Sequence, residues 1–414
     1  MKILFIAHYY HPEPGFFFAH PFALALKERG HQVEVITGYP NYPAGKLQDG
    51  YRQKLKMVEW IDGIKVIRVP LFISHDRSSL RRIISYISLS FMQLLVGTFC
   101  RFDADIAFVS QGPATIGLPA IWFKFFKKIP FVFQIQDLWP DSLAASGMFS
   151  NRLGLKMVHW WCKMVYRQAC HIAVIAPGMK KALVERGVPE DKISLVYNCG
   201  NVTDKGVAKV LPSRLEAILS SKKFTILYAG NFGVMQRLQT VVEAASLLQS
   251  YEDIQFVLVG NGVEKEKLEK EVEAQGLTNI KFHPFISSAE ADLAIQKSCA
   301  VLAHLQQNPL FDMTIPSKVQ KYLYMGKPII IAVGHDAADL VVNLAQAGVA
   351  AEPENPKSLA NAVLNLYRMP EEKRKELGEN GARFFEEHLT FVQWVDCYEK
   401  MFNKIVENKP VRRM

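Results

Sequence analysis

Two series of short, almost uninterrupted apolar runs constrain this chain more than any other feature. The first comprises KILFIAH (2–8), QVEVIT (32–37), IKVIRV (64–69), DIAFVS (105–110), PFVFQIQ (130–136), IAVIA (172–176) and ISLVYN (193–198). The second comprises FTILYAG (224–230), IQFVLVG (254–260), IKFHPF (280–285), AVLAHL (300–305) and PIIIAV (328–333). Runs so rich in β-branched residues belong to strands covered on both faces, as in a parallel sheet. Parallel neighbours need crossover connections, and stretches such as FALALKERG, LQTVVEAASLLQS and EKEKLEKEVEAQG provide the helical spacing for them. The expected fold class is α/β: two doubly wound, Rossmann-like domains facing across a cleft. One spans 1–200 and the other 222–389, and a helix at about 390–414 is expected to pack back on the first. In such folds the strand-to-helix loops at the carboxyl ends of the strands carry the ligand site.

Charge divides the chain the same way. Residues 1–200 hold 24 Lys and Arg against 14 Asp and Glu, and the remainder holds 25 against 26. The basic excess therefore lies wholly in the first half, which points that half towards an anionic partner, either a membrane surface or nucleic acid. Within it, IISYISLSFMQLLVGTFC (83–100) has helical apolar spacing, interrupting serines and a basic flank of Arg77, Arg81 and Arg82. It reads as a helix lying on an anionic leaflet or as a core helix of the first domain. WFKFFKK (122–128) sets further aromatics among lysines. The six cysteines form no C-x-x-C pair, so a reducing compartment is expected and a metal site is not. The N-terminus lacks the apolar core and cleavage site of a signal peptide.

Three loops carry residues suited to a diphosphate. In HPEPG (11–15), Gly15 lets the backbone approach an anion where a helix is expected to begin. In YAGNFGVMQR (228–237), Gly230 and Gly233 free the backbone and Arg237 offers a guanidinium to phosphate oxygens. In TIPSKVQKYLYMGKPIIIA (314–332), Ser317 is expected to cap a helix, and Lys318 at its start makes sense beside a bound anion, because a helix N-terminus otherwise disfavours a cation.

HYYHPEPG, GHQVEVITGYPNYP, FQIQDLWPDS, the stretch from VIAPGM to YNCGN, YAGNFG and IPSKVQKYLYMGKPIII occur in this order. On these stretches the chain resembles glycosyltransferase family 4, retaining enzymes of the GT-B fold. It is similar in particular to bacterial O-antigen, capsule and exopolysaccharide enzymes, including N-acetyl-fucosamine-type transferases acting on lipid-linked sugars. The resemblance implies a donor bound mainly by the second domain and an acceptor bound mainly by the first. It implies transfer of an N-acetylated or deoxy hexosamine from a UDP-sugar to a polyprenyl-diphosphate-linked acceptor. The setting would be the cytoplasmic face of the inner membrane, on an anionic membrane surface, as a peripheral protein with no nucleic-acid partner. Asp137, Lys318 and Arg237 take the catalytic positions, with Asp137 either a base or an orienting group. Gly15, Gly230, Asn231, Gly233, Ser317 and Lys321 take donor-binding positions. No cofactor and no metal is expected. The family's pair of glutamates falls on Met313 and Lys321, and Asn231 stands where a more basic residue is common. These departures keep two alternatives in view, a sugar-nucleotide epimerase of the same architecture and a catalytically degenerate sugar-nucleotide-binding protein.

Overall fold

The computed structural model describes residues 1–13, 19–74, 78–110, 112–145, 151–200 and 210–407. The chain forms two compact units. The first holds Met1–Tyr197 together with the chain from Trp394 onward, and the second holds Asn198–Gln393. The strands are β1 Lys2–Ile6, β2 Gln32–Gly38, β3 Met57–Ile61, β4 Ile64–Val69, β5 Ile106–Ser110, β6 Phe131–Ile135, β7 His171–Val174, β8 Ile193–Leu195, β9 Phe224–Ala229, β10 Ile254–Val259, β11 Ile280–His283, β12 Ala300–His304, β13 Ile329–Ala332 and β14 Gly348–Ala350. The helices are α1 Ala19–Glu28, α2 Ser79–Phe99, α3 Gly117–Lys127, α4 Asp141–Ala145, α5 Arg152–Gln168, α6 Pro177–Glu185, α7 Ser213–Leu219, α8 Gln239–Leu247, α9 Lys265–Ala274, α10 Ser288–Lys297, α11 Pro309–Asp312, α12 Ser317–Tyr324, α13 His335–Asp339, α14 Pro356–Arg368, α15 Glu371–His388 and α16 Phe391–Glu407.

The first sheet runs β3-β4-β2-β1-β5-β6-β7-β8 and the second β11-β10-β9-β12-β13-β14. Every pairing is parallel except β3 with β4. In each sheet the opening strand lies inside, so the winding reverses beside β1 and beside β9, the positions where such sheets leave a crevice at their carboxyl edge. β5, β6, β10, β12 and β13 are buried along their whole length. That is why their sequences read as unbroken apolar runs.

Aromatic packing holds the first unit together. Phe5 lies opposite Val35 of β2 and Phe108 of β5. Its ring meets Phe22 of α1 at 5.4 Å and Phe108 at 5.1 Å. The last helix closes over the same cluster, with Trp394 4.7 Å from Phe22 and Tyr398 5.2 Å from Phe108. Arg29 fixes that helix through Asp396 and Glu399, both at 2.6 Å.

In the first unit, two elements differ from what the sequence suggests. β3 is absent from the series of apolar runs because, as an edge strand, it alternates between half-buried and exposed residues. Its Asp62-Gly63 link to β4, with φ of 49° and 70°, is the tight turn that an Asp-Gly pair favours. The second is α2, whose polarity is inverted. Ser85, Ser90 and Gln93 face inward, and Gln93 Nε2 donates to the Ala7 carbonyl at 2.8 Å. Leu80, Ile84, Ile87, Phe91, Leu95 and Phe99 face outward. Close approach to α3 requires Gly97, where a Cβ would sit 2.2 Å from the Phe123 ring.

Candidate functional site

In the second unit the site assembles at the carboxyl ends of β9 and β10. The loops 229–231, 259–261 and 285–291 line a cavity of about 580 Å³, within the range of about 300–1,000 Å³ typical of small-ligand pockets. The floor depends on Gly260. Its φ is 148°, and a Cβ there would fall 1.8 Å from the Gly230 carbonyl oxygen, so only glycine lets the two turns touch. Phe285 stands 74% exposed at the edge, an aromatic face offered to a planar group. The Tyr228 hydroxyl donates to the Asn231 carbonyl at 2.7 Å and fixes the turn after β9.

Lys318 reaches this turn from α12. Its Nζ lies 3.9 Å from the centre of the Tyr228 ring, and a Cβ on Gly230 would be 2.9 Å from it. Loss of hydration alone pushes this ammonium down to about 7, and among the described residues no carboxylate pairs with it. A partly charged lysine held against a glycine turn is stabilised by whatever anion arrives there. Next to it, His304 Nδ1 lies 2.8 Å from the Gln236 carbonyl. A carbonyl only accepts, so Nδ1 carries the proton. Burial pushes this imidazole down to about 4 and keeps it neutral.

The remaining donor-side residues fall into place unevenly. Asn231 is exposed and Gly233 receives the Gln236 side chain on its backbone N–H at 3.1 Å. Arg237 is exposed, with its Nε 2.6 Å from Glu354 Oε1. Glu354 also accepts the Gln307 N–H at 2.7 Å, so this carboxylate ties the turn after β9 to the segment after β12. Ser317 is not the helix cap expected of it. Pro316 occupies the cap position, Ser317 is the first helical residue, and no side chain caps the helix. The two-residue proline-serine step places proline outside and leaves the serine hydroxyl exposed. Lys321 points to a carboxylate within its own unit, with Nζ 2.6 Å from Asp292 of α10. The charge in this helix therefore has a protein partner.

In the first unit, Gly15 and Arg77 lie outside the described residues. The loop after β1 is braced by Glu13, whose carboxylate accepts the backbone N–H groups of Tyr10, Asn41 and Tyr42 at 3.2, 2.8 and 2.9 Å. Burial raises its pKa against the pull of those bonds. Arg68, fully buried, bonds the carbonyls of Gly38 and His11 and the Glu59 carboxylate. Asp137 follows β6, and its side chain is exposed. The protein around it thins its hydration and raises its carboxyl above the usual range, with exposure limiting the size of that effect. His8, at the end of β1, is buried against Tyr9 and Tyr86 at 4.3 and 5.4 Å between rings. Arg81 is exposed on α2 and Arg82 is half-buried, its Nη2 3.4 Å from the Tyr86 hydroxyl.

Sequence reasoning did not find Gly260, Asn261, Phe285, Asp292 or Glu354. A Gly-Asn-Gly turn after a strand was a visible signal for the first two. The others act through partners far away in the chain. Among the described residues no group of three or more His, Cys, Asp and Glu side chains is arranged to hold a metal.

Comparison with known proteins follows the same division. A family model described as a glycosyl transferase 4-like domain matches residues 18–199. One described as glycosyl transferases group 1 matches residues 214–384. The chain is 27% identical over 361 residues to a putative colanic acid biosynthesis glycosyl transferase of Escherichia coli (strain K12), covering 83% of this chain and 86% of that protein. Among solved structures, sucrose-phosphate synthase from Thermosynechococcus elongatus superposes with a TM-score of 0.69 at 14% identity, covering 99% of this chain and all of that one. Anabaena HepE, solved in complex with UDP, superposes with a TM-score of 0.67 at 14% identity, covering 98% of this chain. The two Rossmann-like units are those of the GT-B fold.

Proposed function

For a chain that carries a glycosyl transferase 4-like domain followed by a group 1 domain, and is a glycosyltransferase, we propose a UDP-sugar donor and a polyprenyl-diphosphate-linked acceptor. The sugar moved is an N-acetylated or deoxy hexosamine, transferred with retention during cell-surface polysaccharide synthesis. Lys318 is the observation that carries the donor side. An ammonium whose pKa burial lowers to about 7, set against a bare glycine turn, gains most from the charge that builds on a departing diphosphate. The base fits the cavity beside Gly230 and Gly260, against the exposed Phe285 ring. UDP in the Anabaena neighbour supports the choice of nucleotide, and the colanic acid relative supports the polysaccharide setting. Asp137, with its raised carboxyl, is the group we assign to receive or orient the acceptor hydroxyl.

The membrane side rests on α2, α3 and α5. These three helices contain no acidic residue. α2 turns its apolar side outward, and α5 exposes Leu153, Met157 and Trp160 among Arg152, Lys156 and Lys163. Apolar and basic groups interleaved on one surface suit a peripheral position on an anionic leaflet, which we place at the cytoplasmic face of the inner membrane. Thermal unfolding with UDP, GDP and UDP-sugars tests the donor assignment. Ligand that binds the native state raises its midpoint, so UDP and a UDP-sugar should raise it and Lys318→Met should abolish the rise. A response to GDP and none to UDP would reject the nucleotide.

A further inference from the structure

A second cavity lies in the first unit, walled by α2, the start of α3, the Trp139 loop and α5, with a volume of 320 Å³. Its polar groups are already engaged within the protein. Ser90 Oγ and Thr115 Oγ1 both donate to the Tyr86 carbonyl, at 3.0 and 3.2 Å. Trp161 Nε1 donates to the Ala114 carbonyl at 2.9 Å. The remaining wall is aliphatic and aromatic, including Ile87, Leu118 and Trp139. A sugar buried here would lose its water contacts without replacing them, which excludes polar occupants, whereas a hydrocarbon chain loses nothing. Position narrows the occupant further. Trp139 stands two residues beyond Asp137, and the Tyr86 ring lies 5.4 Å from His8 at the end of β1. Arg82 bonds the Tyr86 hydroxyl, so a cation stands beside the lining. Ile87 and Met157, both in the wall, also belong to the exposed apolar surface of α2 and α5, so the cavity is continuous with the face assigned to the membrane.

We propose that this cavity receives the proximal isoprenoid units of the acceptor lipid, with Arg82 as the charge partner of its diphosphate. This rests on the reading of a lipid-linked acceptor. It goes further in assigning the tail its own binding site, separate from bulk contact with the leaflet. A seated tail holds the diphosphate, and the sugar beyond it, at a set distance from the Asp137 loop.

The test uses the full-length protein and the emission of Trp139 and Trp161, titrated with isopentenyl, geranyl, farnesyl and geranylgeranyl diphosphate and with pyrophosphate. The geranylgeranyl compound should bind at least about tenfold tighter than the isopentenyl one, since each buried methylene adds to affinity. Leu118→Phe, which fills the cavity, should erase that difference while leaving binding to phosphatidylglycerol vesicles intact. Leu143→Phe, at a buried wall position away from the outward face of α2 and α5, should do the same if Leu118→Phe does not fold. Arg82→Gln should weaken all the diphosphates alike. Equal affinity for the shortest and longest chains, or an unchanged length dependence in folded variants, would overturn the proposal. So would an equal emission change from phosphatidylglycerol vesicles alone in Trp160→Phe, which lacks the tryptophan on the membrane face; that result would assign the cavity to bulk lipid. Length-dependent binding without sugar transfer from any UDP-sugar would sink the proposed function and leave the cavity standing. Transfer that is indifferent to tail length would do the reverse.

Discussion

Binding of a diphosphate ester should draw a proton into the protein, and Lys318 should be its destination. In the free protein, loss of hydration pushes this ammonium down to about 7. The direction matters: the charged form is the disfavoured one, so the free protein holds the lysine mostly neutral above that pH. A diphosphate placed against it favours the ammonium and raises its pKa again. The uptake per bound ligand is then the fraction neutral beforehand, about 0.9 proton at pH 8, about 0.5 at pH 7 and about 0.1 at pH 6. Affinity should fall with rising pH, approaching about tenfold per pH unit well above 7. The same linkage acts on stability: between about 7 and the ordinary lysine range the unfolded chain binds more protons, so the free protein should gain stability as pH rises through that window. Calorimetric titration with UDP-glucose, in buffers of different ionisation enthalpy, reads the uptake directly. Both of its phosphates are esterified, so neither titrates in this range. Lys318→Met should remove the uptake at pH 8. No uptake at pH 8 in the native protein, or the same uptake in the variant, would refute the assignment.

Lys321→Glu places a second carboxylate against Asp292, now 2.6 Å from the lysine. It should cost roughly 2 kcal/mol, less than the full penalty for a deeply buried broken pair, and lower the unfolding midpoint by about 4–8 °C. The swap with Asp292→Lys should recover most of that; tighter UDP binding by the single variant would instead reveal a ribose site. Gly260→Ala should cost at least about 2 kcal/mol and abolish nucleotide binding, because its Cβ meets the Gly230 carbonyl at 1.8 Å; a stable, nucleotide-binding alanine variant would contradict the described turn. Replacing Arg81, Arg152, Lys156 and Lys163 by Glu should release the protein from phosphatidylglycerol vesicles, each charge contributing about 1 kcal/mol near the surface. Vesicle binding that survives the replacements and 1 M-scale salt screening would count against a basic docking face.

The strand arrays were legible because burial on both faces leaves an unbroken apolar signature, as in IAFVS and IQFVLV. β3 was not, since its residues alternate between half-buried and exposed and none is buried. α2 was visible as a helix, but its orientation was open. Serines and a glutamine within an apolar helix read equally well as an outward polar stripe, and only the Gln93 bond to Ala7 shows that they face inward. The turn after β9 was recognisable from its glycines, and Lys318 from its place at a helix start. The partners of the charged residues were not: Glu354 lies 117 residues from Arg237 and Asp292 sits on another helix. A local pattern shows that a charge is present, while its pairing depends on which elements the fold brings together. The Ser317 cap failed for a smaller reason, a helix boundary displaced by one residue.

Sugar transfer to lipid tests the central claim most directly. Full-length protein would be incubated with radiolabelled UDP-N-acetylhexosamines and a polyprenyl-diphosphate-linked acceptor in phosphatidylglycerol vesicles. Label entering the organic phase and UDP released would be measured together. The account predicts equal amounts of both from at least one donor, and loss of both with Lys318→Met. UDP-sugar that binds but yields neither product across the panel, or transfer undiminished in Lys318→Met, would contradict it.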